Sequence, residues 1–81
     1  MKIKEVKAIS KNLLQLKDEQ GNNYVYDVRY LQELPGKFAQ ELNDYQYFKQ
    51  VRLMSGWDSV EWPNHQDVAP HDIDEFAILI E

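Results

Sequence analysis

The chain contains no cysteine. That removes disulfides and thiolate zinc sites as staples, and it removes the thiol as a nucleophile. No apolar run approaches the length needed to cross a bilayer. The opening residues, MKIKEVKAI, carry charge at every second or third position, where a secretory signal would have a continuous apolar stretch. A cytoplasmic address is therefore expected. Glycine and proline are scarce, at three each, too few for a disordered or fibrous chain. There is also no excess of positive charge: nine Lys and Arg against fourteen Asp and Glu leave a net charge of −5. Such a surface repels nucleic acid and anionic membranes, so neither is an expected partner of the free protein. No glycine-rich phosphate loop is present, and none of Ser10, Ser55 and Ser59 sits in a G-x-S-x-G elbow. Catalysis is not expected, and no cofactor is implied.

What remains is ordinary globular material. Eighty-one residues, with 43% apolar and 12% aromatic side chains, make one domain over residues 1–81, at the small end of what folds alone. Its stability has to come from one compact core. Charge is unevenly spread, with Lys2, Lys4, Lys7, Lys11 and Lys17 early and Asp58, Glu61, Asp67, Asp72, Asp74, Glu75 and Glu81 late. That polarity can orient a partner, although lysines on strand faces and edges also serve simply to keep strands from aggregating.

The hydropathy pattern gives an α+β fold, with small antiparallel hairpins packed against a short central helix and a C-terminal helix. IKEVKAI and NLLQLKD are short strand-like runs, and Leu14 and Leu16 alternate with Gln15 and Lys17. DEQGNN then turns the chain into YVYDV, where Tyr24, Tyr26 and Val28 share a face, so a hairpin is expected here. Leu31 and Leu34 fit one helical turn ended by Pro35-Gly36. Phe38, Leu42 and Tyr45 suit a short amphipathic helix from about Lys37 to Asn43. YFKQVRLM reads as a strand, SGWD as a turn, and SVEW as the returning strand. In the tail, Asp72 and Glu75 form a capping-box-like pair, which favours a helix at least through Phe76. Residues 77–81 fit helix or strand. The expected core is Ile3, Val6, Leu14, Leu16, Tyr26, Phe38, Leu42, Val51, Leu53, Trp62, Val68 and Ile73.

Gly21, Tyr26-Asp27-Val28, Leu31, Gly36, Phe38, Leu42, Tyr47-Phe48, Val51, Leu53, Trp62-Pro63-Asn64 and Asp67-Val68-Ala69-Pro70 together resemble a known family. It is the domain of unknown function 2442 (DUF2442), a group of small bacterial proteins. The match runs over nearly the whole chain. It departs from the family pattern at His65, where the family usually has glycine, and in the tail after Glu75-Phe76. The resemblance implies an α+β fold. It also implies a link to toxin–antitoxin-like gene pairs, in which some members resemble one component.

The one stretch with a chemical look is WPNHQDVAPH. His65, Asp67 and His71 offer ligands in number, but not in the spacing of an established metal motif. A metal site here is the least favoured alternative. A structural turn accounts for the same residues: Trp62 covers the core, Pro63-Asn64 turns the chain, Asp67 bonds loop amides, and Pro70 precedes a helix. The aromatic surplus points elsewhere. Tyr30, Tyr45, Tyr47 and Trp57 lie beside turns or helix ends, and Ile78 lies in the apolar tail; these mark an expected interaction surface. The expected function is thus a protein-interaction module, the antitoxin-like or accessory half of a two-protein pair, bound to another protein or to a second copy of itself. The alternative is a regulatory domain that binds a small ligand between sheet and helix.

Overall fold

The computed structural model describes residues 1–64 and 66–80. Strands β1 (Ile3–Ala8), β2 (Leu13–Asp18) and β3 (Asn23–Asp27) form an antiparallel meander. Three short helices follow, α1 (Arg29–Gln32), α2 (Lys37–Leu42) and α3 (Tyr45–Phe48). The hairpin of β4 (Arg52–Leu53) and β5 (Val60–Glu61) makes a separate ribbon. Helix α4 (Pro70–Phe76) then leads into β6 (Ile78–Leu79), which pairs antiparallel with β3. The main sheet therefore has the order β1-β2-β3-β6.

Alternation on β2 decides which face is inside. Leu14 and Leu16 are fully buried while Leu13, Gln15 and Lys17 are only partly covered, as a strand half in contact with a core requires. Tyr26 and Val28 continue the same inner face from β3. The β2–β3 turn is organised by a single carboxylate. Asp18 accepts hydrogen bonds from the amides of Gln20 (3.0 Å) and Asn22 (2.9 Å), from Asn22 Nδ2 (3.2 Å) and from the Tyr24 hydroxyl (3.0 Å). Gly21, at φ +90°, supplies the left-handed step between them.

Burial alone would raise the pKa of Asp18, but the bonds from Asn22, Tyr24 and Gln20 outweigh it and hold the group below the ordinary aspartate value of 3.8. A carboxyl with a lowered folded pKa stabilises the fold above its unfolded value and loses that contribution as pH falls through the folded one. Asp18→Asn should therefore lower the thermal midpoint most near neutral pH. The gap to the wild type should narrow below pH 3.8. Melting curves of both proteins at about pH 7 and about pH 2.5 check this; a gap that stays constant would show that the carboxylate charge is immaterial.

The core lies between the inner sheet face and the helices, with the β4–β5 ribbon closing it. Ile3, Leu14, Leu16, Tyr26, Leu42, Trp62, Val68 and Ile73 are buried as expected, joined by Val28, Ala39, Phe48 and Val60. Val6, Phe38, Val51 and Leu53 are only partly buried and pack around the rim. Trp62 stacks on Phe48 with centroids 5.8 Å apart and donates its Nε1–H to the Phe48 carbonyl (2.8 Å).

Three local expectations are corrected. YFKQVRLM is not one strand, because Asp44 caps a helical turn over Tyr45–Phe48 by accepting the Gln46 amide (3.0 Å), leaving only Arg52–Leu53 to pair. The capping box at Asp72 does not form: Ala69 is the N-cap and Pro70, which has no amide hydrogen to lose, takes the first helical position. Beyond the N-terminal meander, β6 from the C-terminal end adds a fourth strand to the sheet. Tyr47, expected on the surface, is partly buried. Its hydroxyl donates to Gln66 Oε1 (2.9 Å) and accepts the Asn64 amide (3.2 Å).

A candidate interaction surface on the open face of the sheet

The outer face of the sheet is built from the residues that alternate with the core. Register places Lys7, Gln15, Val25 and Ile78 in one row across the four strands. Leu13 stands opposite Asp27 on one side of this row, and Lys17 opposite Asn23 on the other. The face thus divides. Toward β1 it is polar, with Lys17 and Glu5 paired at 3.8 Å and Gln15 donating to Asn23 Oδ1 at 3.5 Å. Toward β6 it is apolar. There Leu13, Val25 and Ile78, with Tyr30 from α1 and Phe76 from the end of α4, line an open groove of about 630 Å³. Asp27 and Arg29 complete the lining.

Each of these side chains has a local reason for its place. Asp27 accepts the Arg29 amide (2.9 Å), capping the end of β3, and its second oxygen takes Arg29 Nη2 at 2.7 Å. The Arg29 hydrogen bonds lower the Asp27 pKa against the opposing effect of burial, and the same pairing raises that of Arg29. Tyr30, four residues beyond the buried Tyr26 of β3, has its hydroxyl bonded to that of Tyr26, the rings meeting edge to face at 6.3 Å. Burial, followed by the bond to Tyr30, pushes the Tyr26 phenol well above its ordinary value. Burial likewise raises Tyr30, with the nearby Asp72 charge adding to it. Both rings are neutral at physiological pH, so Tyr30 presents an amphipathic, uncharged side chain to the groove.

Helix α4 carries the remaining wall. Ile73 is fully buried and anchors the helix, and Ala77 leaves it in an extended conformation (φ −67°, ψ 134°). The chain then runs along β3, with the Ile80 amide donating to the Asn23 carbonyl at 2.9 Å. Phe76, Ile78, Leu79 and Ile80 are all more than half exposed. Four large apolar side chains within five residues, open to solvent at the end of α4 and along the edge of the sheet, exceed the scattered exposure normal for a small domain.

The residues expected on an interaction surface do not all meet. Tyr30 and Ile78 line the groove together. Tyr45 is exposed on α3, with the Lys49 ammonium 5.9 Å from its ring centre. Trp57 is exposed on the β4–β5 turn. It has φ +61°, a rare conformation for a bulky residue, and its carbonyl accepts the Ile3 amide at 2.7 Å. Phe76, Leu13 and Val25 belong to the groove but were not singled out from sequence. Phe76 had the one available signal, a large apolar residue at the end of the last helical run.

Residues 62–64 and 66–69 fold back on strand β5. The Trp62 amide donates to the Gln66 carbonyl (2.7 Å), Asp67 bridges to Glu61, and the Val68 amide donates to the Val60 carbonyl (3.2 Å). Asn64 reaches Glu41 on α2, and the buried Ser59 hydroxyl donates to the Val68 carbonyl. Pro63, Asn64, Asp67 and Pro70 all lie in or beside these segments and shape them. His65, one of the expected metal ligands, lies outside the described residues. His71 is exposed and sits 3.3 Å from Asp72. Among the described residues, no three His, Asp or Glu side chains converge on a point where a metal could sit, and no helix is long and apolar enough to cross a membrane.

Fold and surface together define a small α+β domain whose antiparallel sheet is open on one face. The chain belongs to the family described as Protein of unknown function (DUF2442), whose model matches residues 3–77. No curated protein and no solved structure matches it.

Proposed function

We propose that the chain is a non-catalytic protein-interaction module, one half of a two-protein pair, and that its partner seats on the apolar groove between β6, Tyr30 and Phe76. The observation that carries this reading is the exposure of Phe76 and Ile78, at 55% and 65%, beside an apolar part of the sheet face that none of the described residues covers. Contiguous apolar surface left in water costs free energy unless it is covered by something. The groove also has the make-up of a binding surface: apolar in the middle, an amphipathic tyrosine at its wall, and an ion pair in its lining.

Co-expression with the product of the neighbouring reading frame, followed by affinity capture and calorimetry, tests the proposal. Ile78→Asp should weaken any such association by about tenfold or more, the effect of losing one anchoring side chain at an interface. It should leave the melting temperature nearly unchanged, because Ile78 contributes little to the core. Association that is indifferent to both Ile78→Asp and Phe76→Ala would remove the basis of the reading. A second reading, a small apolar ligand in the same groove, is favoured by its volume of about 630 Å³, which falls in the range of ligand pockets. Native mass spectrometry of the purified protein separates the two.

A further inference from the structure

The two edges of the main sheet are treated differently. The β1 edge carries Lys2, Lys4 and Lys7 close by, and the Trp57 carbonyl already takes the Ile3 amide; charged side chains and a covering loop are the usual protection of an edge strand. Among the described residues of the β6 edge there is neither. No charged residue lies between Ala77 and Ile80, and Ile78, Leu79 and Ile80 are all exposed.

Hydrogen bonding fixes which groups this edge offers. Ile80 stands opposite Asn23 and donates its amide to the Asn23 carbonyl. In an antiparallel ladder such pairs alternate with pairs whose N–H and C=O point away from each other. Leu79, opposite Tyr24, is therefore the residue that turns its N–H and C=O outward, away from β3. Side chains alternate in step: Ile78 and Ile80 lie on the open face with Val25 and Asn23, and Leu79 lies on the other.

We infer that β6 pairs antiparallel with β6 of a second copy of the chain about a two-fold axis at Leu79, joining two four-stranded sheets into one of eight strands. This rests on the interaction reading above, in which the exposed apolar side chains of β6 serve association, and adds a second copy at the sheet edge beside the groove. In that register the two Leu79 residues exchange both main-chain hydrogen bonds. Ile78 of each copy faces Ile80 of the other, a β-branched cross-strand pair on the open face. The four isoleucines then bridge the two grooves. A second copy is favoured by the strand itself: copies that each carry −5 repel through their charged faces, and residues 77–80 bring no charged side chain of their own to the contact. An isologous contact also has to complement itself, which an antiparallel strand centred on one residue does.

Light scattering coupled to size exclusion, from about 1 µM to about 1 mM, should show the mass rising from 9.6 kDa toward twice that. The Leu79 amide should become slower to exchange over the same range. Leu79→Pro removes the outward donor without touching a bond to β3, since an edge strand tolerates proline where its N–H faces solvent. This variant should stay monomeric with an unchanged circular dichroism spectrum. Should it fail to fold, Ile80→Lys, which leaves the backbone intact, should likewise stay monomeric. A wild type that remains at 9.6 kDa throughout, or folded variants that dimerise as the wild type does, would overturn the inference. A monomeric wild type that still binds another protein in an Ile78-dependent manner overturns this inference alone. Association of any kind that ignores both Ile78 and Phe76 overturns the interaction reading beneath it.

Discussion

Trp62→Ala is expected to cost about 3–5 kcal/mol, a large share of the about 5–15 kcal/mol that holds a native domain together. Trp62 is fully buried and is the largest side chain in the core. Truncation opens a cavity between β5 and α3 and removes the stack on Phe48. It also removes the indole N–H bond to the buried Phe48 carbonyl (2.8 Å), leaving that oxygen only the longer bond from the Val51 amide (3.3 Å). Trp62→Phe is the informative control. It keeps a ring against Phe48 and loses the hydrogen bond and part of the volume, so it should fall between wild type and alanine. Urea denaturation followed by circular dichroism measures all three. An alanine variant within about 1 kcal/mol of wild type would show that the stacked pair is not the centre of the core.

Ile73→Ala should have the second largest effect, about 2–5 kcal/mol, and it should be unevenly distributed. Ile73 is the one fully buried residue of α4, and α4 delivers both Phe76 and β6 to the groove. β6 holds to β3 through two pairs, Tyr24 with Leu79 and Val25 with Ile78, and the Ile80 bond to Asn23. Those bonds cannot keep the segment in place once its anchor is cut, because elements with few buried contacts open first. Amide exchange should therefore rise at Ile78 and Ile80 before it rises in β1 to β3. Any association through the groove should weaken with it, although Ile73 itself is inaccessible to a partner. Uniform loss of protection across the sheet would mean that α4 and the meander unfold as one unit.

The meander was legible because its determinants are local. Leu14 and Leu16 alternate with polar residues, Asp18 and Gly21 carry the turn chemistry, and Tyr26 with Val28 repeats the period on the return strand. Helices α1 and α2 were legible for the same reason, with Pro35-Gly36 as the stop between them. Helix α3 was missed because its determinant is one capping carboxylate, Asp44, ahead of residues that fit a strand equally well. Tyr47 was misplaced because its ring is held by Gln66 and Asn64, residues distant in sequence. Polar partners of that kind leave no periodic trace.

Composition and pattern by themselves determined the α+β class, the first hairpin, most of the core and the family. Each depends on residues that are neighbours in sequence or on side chains whose burial is settled by hydrophobicity alone. Tertiary structure alone decided the tail. Ala-Ile-Leu-Ile satisfies both the helical and the strand period, and what selects the strand is the free edge of β3, which offers backbone hydrogen bonds that a longer helix would leave unmade. The groove was decided in the same way. Leu13, Val25, Tyr30, Phe76 and Ile78 come from five separate elements, and only the register that sets Gln15, Val25 and Ile78 in one row brings them onto a common face.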